Sequence, residues 1–171
     1  FDAYINLVMY AKLKKIQVLG LVVTQDKDQA IENIAKHPSI KHKDIFQVIS
    51  ATREQVPNYI NTFDILVNFL TSSYARLATS PTRNAESFAC GVPVICSAGI
   101  GDVDMHTKLL DSGQIVSNFD EDSLTNLVSS LNLIKSKGGE NLRAKAKSFF
   151  DLEIAERRYK NVYSSIENII K

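Results

Sequence analysis

Charge of one sign is missing from this chain. Lys plus Arg number 20 against 19 for Asp plus Glu, a formal net charge of +1 over 171 residues. No global field therefore draws in nucleic acid or an anionic membrane, although a local basic patch is compatible with that balance. Long hydrophobic runs are missing too: the longest, such as Val18 to Val23, are far too short to span a bilayer. Phe1 opens into a helical pattern and not into that of a signal peptide. Glycine (7) and proline (4) are too scarce for a low-complexity chain. The two cysteines, Cys90 and Cys96, lack metal spacing and read as small buried hydrophobes in a reducing compartment, a disulfide being the lesser alternative.

What is present is enough apolar residue, 44%, for one sizeable core. Ile5, Val8, Met9 and Leu13 recur at helical spacing and predict a helix from Asp2 to Lys15. The run I-Q-V-L-G-L-V-V-T (16–24) predicts a strand buried on both faces. A helix follows over 26–36, stopping near His37-Pro38, then a strand over 44–50 and a short helix over 55–62 with Pro57 in its first turn. Next come a strand over 64–70, a long loop over 71–79, a helix over 81–90 and a strand over 93–97. Asp102 or Asp104 is expected to cap a helix to about Asp111, ended by Gly113, before a short strand over 114–117. Helices over 122–135, 141–150 and 152–170 close the sequence.

Strands alternate with helices throughout, which predicts the α/β class: a Rossmann-like open parallel sheet with helices on both faces. The expectation is a single domain over 1–171, with 141–171 as its C-terminal helices. The first element is a helix, whereas the first strand of a doubly wound sheet is normally central and borders the switch point. We expect this sequence to start just after that strand; the alternative is a variant fold.

Chemistry concentrates in Ser80 to Ile95, S-P-T-R-N-A-E-S-F-A-C-G-V-P-V-I. Ser80 suits an N-cap and Pro81 the first helical position. The free amides of Thr82 and Arg83, with the helix dipole, would then form an anion site beyond the carboxyl end of the preceding strand. Arg83 is a cation in the first turn, where it opposes the macrodipole at a cost of about 0.3–1 kcal/mol. A bound diphosphate would reverse that sign. The alternative is an i,i+3 pair with Glu86, worth about 0.2–0.5 kcal/mol. Glu86, one turn in, suits a pair of sugar hydroxyls, or else belongs to a solvated helix face. Gly91 is expected at C′, with Val92-Pro93 forcing extended chain.

Other positions speak more softly. S-A-G-I-G-D-V-D (97–104) lies at another strand's carboxyl end, and Gly99 and Gly101 permit close backbone approach to a ligand; a plain turn before a capped helix is the simpler reading. Ser50 follows a strand and is placed near a base on position alone. His37, His42 and His106 have no companion spacing for a metal, and His37 and His42 are expected to be exposed. No nucleophile elbow, P-loop or dinucleotide fingerprint is present.

The string at 80–95 resembles the donor-site signature of group 1 glycosyltransferases, the retaining family 4 of GT-B fold, whose usual form is P-x-K-x-x-E-x-x-A-x-G-x-P-V-I. Glu54 to Val67 (E-Q-V-P-N-Y-I-N-T-F-D-I-L-V), A-G-I-G-D-V-D, S-G-Q-I-V (112–116) and the late R-Y-K-N-V-Y resemble flanking parts of that family, so the likeness covers most of the chain. It implies the C-terminal, nucleotide-sugar-binding half of a two-domain hexosyltransferase. Such an enzyme would be retaining and metal-independent, would need no cofactor and would serve polysaccharide biosynthesis. Its donor would be a nucleotide-diphosphate sugar and its acceptor a glycan or lipid-linked glycan. Its N-terminal acceptor domain would lie outside this sequence. Cytoplasmic location is expected, or a peripheral one at the inner face of a membrane.

By the same resemblance Glu86 and Arg83 would be catalytic. Ser80, Pro81, Thr82, Arg83, Glu86, Gly99 and Gly101 would bind donor, with Ser50 and Arg76 as weaker candidates. Two departures stand out. The family often carries a glutamate at the position of Ala78, and its phosphate-binding Arg and Lys would precede Phe1. The 171 residues alone are therefore expected to bind nucleotide weakly and not to turn over. Two alternatives remain: a non-catalytic regulatory α/β domain, and a GT-B-type sugar-nucleotide epimerase, for which the histidines are badly placed.

Overall fold

The computed structural model describes residues 1–38, 40 and 43–170, the side chains of Lys43 and of 167–170 excepted. The elements run α1 (Asp2–Leu13), β1 (Gly20–Val23), α2 (Lys27–Lys36), β2 (Phe46–Ile49), α3 (Val56–Ile60), β3 (Leu66–Asn68) and α4 (Thr82–Ala89). They continue with β4 (Val94–Ser97), α5 (Val103–Leu110), β5 (Gly113–Val116), α6 (Glu121–Lys135), α7 (Glu140–Phe150) and α8 (Leu152–Ile170). Short 3-10 turns precede β2 (Lys43–Ile45) and α4 (Tyr74–Ala78), the second within the stretch expected to be plain loop.

Every strand pairing among the described residues is parallel, as the alternating pattern predicts for an α/β chain. The ladder is not one sheet, however. β1 pairs with β2, and β3, β4 and β5 form a separate sheet in that order. Of the open parallel sheet expected from the sequence, the structure shows two small parallel sheets with helices, compatible with a Rossmann-like α/β fold. The strands are also shorter than their apolar runs, because a ladder extends only where both partners are extended. Gly20 is the first residue of β1 to find a partner, Phe46, since the chain before Phe46 is curled into a 3-10 turn. Ile16 to Leu19 therefore stay outside the strand.

Successive strand residues point to opposite faces, and the apolar clusters follow that alternation. Val94 and Cys96 of β4 join Ile60, Phe88, Val103, Leu110 and Leu142, from α3, α4, α5 and α7. Ile95, between them, joins Leu7 and Ala11 of α1 and Leu124, Leu127 and Val128 of α6. The three-stranded sheet is therefore covered by helices on each side, and β4 is buried along its whole length. A third cluster ties α1 to α2 and to the 3-10 turn before β2 through Ile5, Val8, Met9, Ile34 and Ile45, with Phe46 and Val48 of β2 packed against it.

Helix ends differ in detail from expectation. α5 is stopped by Asp111, left-handed at φ 47°, and not by Gly113. Aspartate tolerates that conformation through its short polar side chain, and Lys137 Nζ lies 2.7 Å from its carboxylate. Gly113 instead opens β5, where a Cβ would lie 1.8 Å from the Val94 carbonyl oxygen. Gly91 does close α4 as expected: its φ is +73°, and the Val92 N–H donates to the Ser87 carbonyl at 2.9 Å. His37, expected to be exposed, is half-buried at the end of α2; His42 lies outside the described residues. Cys90 and Cys96 are unbonded to one another, and Cys96 is buried as a core residue. Among the described residues no helix is long and apolar enough to cross a membrane.

Candidate functional site

The loops that follow β3 and β4 meet at the carboxyl ends of those strands, where ligands of open α/β sheets bind. Three contacts hold them. The Leu70 N–H donates to Ser97 Oγ at 2.8 Å, fastening the end of β3 to the end of β4. Ser80 Oγ–H donates to Asp102 Oδ2 at 3.1 Å. Gly101, at φ +46°, lies so close to the other loop that a Cβ there would sit 1.9 Å from the Thr79 carbonyl oxygen. Beneath them Asn84 of α4 is buried, and its side-chain oxygen accepts from Asn68 Nδ2 at 2.7 Å. That bond fixes α4 to the end of β3 and satisfies two polar groups that burial would otherwise leave costly.

The start of α4 is shifted by one residue from expectation. Pro81 is the N-cap, extended at φ −67° and ψ 107°, and Thr82 is the first helical residue. Ser80 is therefore not the cap; its hydroxyl is spent on Asp102, and no side chain among the described residues caps the helix. The Asn84 N–H donates to the Pro81 carbonyl at 3.0 Å. The N–H groups of Thr82 and Arg83 have no protein partner among the described residues, and both residues are exposed. A helix start with free amides and positive dipole attracts anions.

Arg83 Nη1 donates to Glu86 Oε2 at 2.5 Å, with both side chains about half exposed. The i,i+3 pair weighed from spacing is thus formed. In water such a pair is worth only a few tenths of a kcal/mol, roughly, so it is readily exchanged for a stronger partner. Arg83 also lines a cleft of about 990 Å³ that runs between β1 and β3, beside Asn68 and Phe69.

The remaining predicted residues are spread more widely. The Gly99 N–H turns toward the Asp104 carboxylate, at 3.3 and 3.4 Å, and Gly99 lies near Ser72. Gly101 serves the contact between the two loops. Arg76 lies exposed in the 3-10 turn together with Ala78, and its side chain has no partner among the described residues. Ser50 follows β2, a strand of the other sheet, and does not line the cleft that reaches Arg83.

Two residues outside the expected set bear on the site. Asp102 holds the N-cap position of α5 without capping it; its Oδ1 is buried without a hydrogen-bond partner, 3.6 Å from His106 Nδ1. Asn84 was hidden inside the 80–95 string, since only the packing of α4 against β3 gives its amide a partner. His106 is edge-on to Phe149 and Phe150 at 5.1 Å and nearly buried, turned toward α7. No group of three or more His, Cys, Asp or Glu side chains among the described residues is placed to hold a metal ion. No family model matches the chain, and no curated protein matches its sequence.

Proposed function

We propose that this chain is the donor-binding half of a group 1 glycosyltransferase, holding a nucleotide-diphosphate sugar at the start of α4. The observation that carries this reading is the uncapped start of α4. Two unpartnered amides, on Thr82 and Arg83, stand beside an exposed arginine at the carboxyl end of a parallel strand. On binding, the diphosphate takes those amides and draws the Arg83 guanidinium away from Glu86, and Glu86 is released to accept from the donor's ribose hydroxyls. During transfer the same amides, helix dipole and guanidinium stabilise the negative charge that gathers on the departing diphosphate. The finer fold reading goes with it. The two sheets are parts of one Rossmann-like open sheet, and the chain is the C-terminal half of a GT-B enzyme whose acceptor domain supplies the glycan site.

The test is a titration of nucleoside diphosphates followed through the backbone amide resonances. Saturable shifts centred on Thr82 to Asn84 are expected, with millimolar affinity for the isolated chain. No shift at those amides up to tens of millimolar, together with no binding by a longer form carrying both domains, would sink the reading. A regulatory α/β domain is the second reading. It is favoured by the Arg83–Glu86 pair, which satisfies the helix start's charges internally, and by Ala78 where the family often carries a carboxylate. The epimerase reading loses ground because His106 faces the phenylalanines of α7.

A further inference from the structure

Two side chains suited to capping stand at helix starts, and neither caps its own helix. Ser80 lies just before α4 and Asp102 holds the N-cap position of α5, and both are residue types that ordinarily accept from the first helix amides. Neither makes such a bond among the described residues; instead Ser80 Oγ–H donates to Asp102 Oδ2 at 3.1 Å. The neighbouring positions touch as well. One residue back in each loop, a Cβ on Gly101 would lie 1.9 Å from the Thr79 carbonyl oxygen. The other carboxylate oxygen of Asp102, Oδ1, is buried without a hydrogen-bond partner among the described residues and faces His106 Nδ1 at 3.6 Å. Local preferences broken at two touching positions mark a site where another requirement prevails.

The backbone shows what the serine is kept from. Pro81 has φ −67°, which its ring fixes and a helix shares, but ψ 107°, which a helix does not. Rotation of that one ψ to about −40° makes Pro81 the first helical residue and Ser80 the N-cap. Thr82 and Arg83 then stand second and third in the helix, the positions whose amides an N-cap hydroxyl takes. These are the two amides left without a protein partner among the described residues. The same rotation carries Thr79 away from Gly101, so the loops part as the helix start closes.

We propose that Asp102 is a positioning residue: by holding the Ser80 hydroxyl it selects the uncapped start of α4, and loss of its side chain lets Ser80 cap the helix and shut the anion site. Asp102 acts only through Ser80. That the anion is a diphosphate rests on the nucleotide reading above; the choice between two helix starts does not.

The test compares Asp102→Ala with Asp102→Asn in the 171-residue chain. Both remove the charge, and with it the repulsion of an anion, but asparagine keeps an oxygen that accepts from Ser80. Amide hydrogen exchange is read at Thr82 and Arg83, and inorganic pyrophosphate is titrated into each variant. In Asp102→Ala, exchange at one or both amides is expected to be at least about 3-fold slower than in Asp102→Asn, and pyrophosphate to bind at least about 3-fold more weakly. Adding Ser80→Ala to Asp102→Ala erases both differences, because no hydroxyl is left to cap. Equal exchange in the two Asp102 variants overturns the proposal, as does equal affinity where pyrophosphate binds. Slowing that survives Ser80→Ala overturns it too. A carboxylate that merely ties the loops together gives faster exchange in Asp102→Ala and no rescue. If the exchange pattern is as expected and pyrophosphate binds none of the chains, the role of Asp102 stands and the nucleotide reading is the one that loses support.

Discussion

At the scale of single residues, Arg83 and Glu86 carry the proposed chemistry and Gly101 carries the geometry. Arg83→Ala is expected to weaken nucleoside diphosphate binding about 10- to 100-fold, the loss of a charge-assisted hydrogen bond of roughly 1.5–3 kcal/mol, measured by calorimetric titration. Glu86→Ala separates the two halves of the ligand: it weakens a nucleoside diphosphate, which brings a ribose, and leaves inorganic pyrophosphate binding unchanged or tighter. Equal effects on both ligands would remove Glu86 from the sugar. Gly101→Ala tests the loop contact. Its Cβ would meet the Thr79 carbonyl at 1.9 Å in a left-handed backbone at φ +46°, so the variant is expected to lose about 2–4 kcal/mol in urea unfolding. The need for Arg83 and Glu86 on one helix face is legible in a three-residue spacing. The need for glycine at 101 is not, because the atom it avoids is 22 positions away in sequence.

At the scale of elements, caps and ends decide what each helix offers. The Asp120 carboxylate caps α6, accepting from the Ser123 N–H at 2.8 Å, and that bond holds its pKa below the usual aspartate range. A depressed carboxyl stabilises the fold above its unfolded pKa and loses that contribution as pH falls through the folded value. Asp120→Ala should therefore lower Tm at pH 7 and lower it much less near pH 3; an equal drop at both would show that the cap's charge is irrelevant. At α4 the opposite arrangement prevails: Ser80 is diverted to Asp102 and the helix start is left bare. The sequence alone points to Ser80 as the cap because serine there normally binds the helix amides; only the neighbouring loop, which presents Asp102, redirects it. α8 is an element of another kind. Leu152, Tyr159, Val162 and Tyr163 on it are exposed, and none of its described side chains enters the three apolar clusters. Deleting 152–171 is accordingly expected to shift Tm by no more than a few degrees in a thermal melt.

At the scale of the whole molecule, the two sheets differ in how they are held. The β3–β4–β5 sheet is covered on both sides and has β4 buried at every position, whereas β1 and β2 form a pair with intermediate burial at most positions. Native-state hydrogen exchange should then show β1 and β2 opening at a lower free energy than β4, with Val94 to Cys96 exchanging near the global limit. Coincident opening of both sheets would mean the cleft does not divide their stability. The amino-acid sequence by itself determined the order and kind of the elements and the parallel α/β class, since side-chain periodicity and β-branched runs are local properties of the chain. It also determined the placing of Arg83 and Glu86 one turn apart. Only the tertiary structure decided how long each strand is, which cap Ser80 surrenders, what Asn84 bonds and that the ladder divides between β1 and β3. Each of these depends on a partner far away in sequence, and a hydrogen bond or a buried contact exists only when both sides are present.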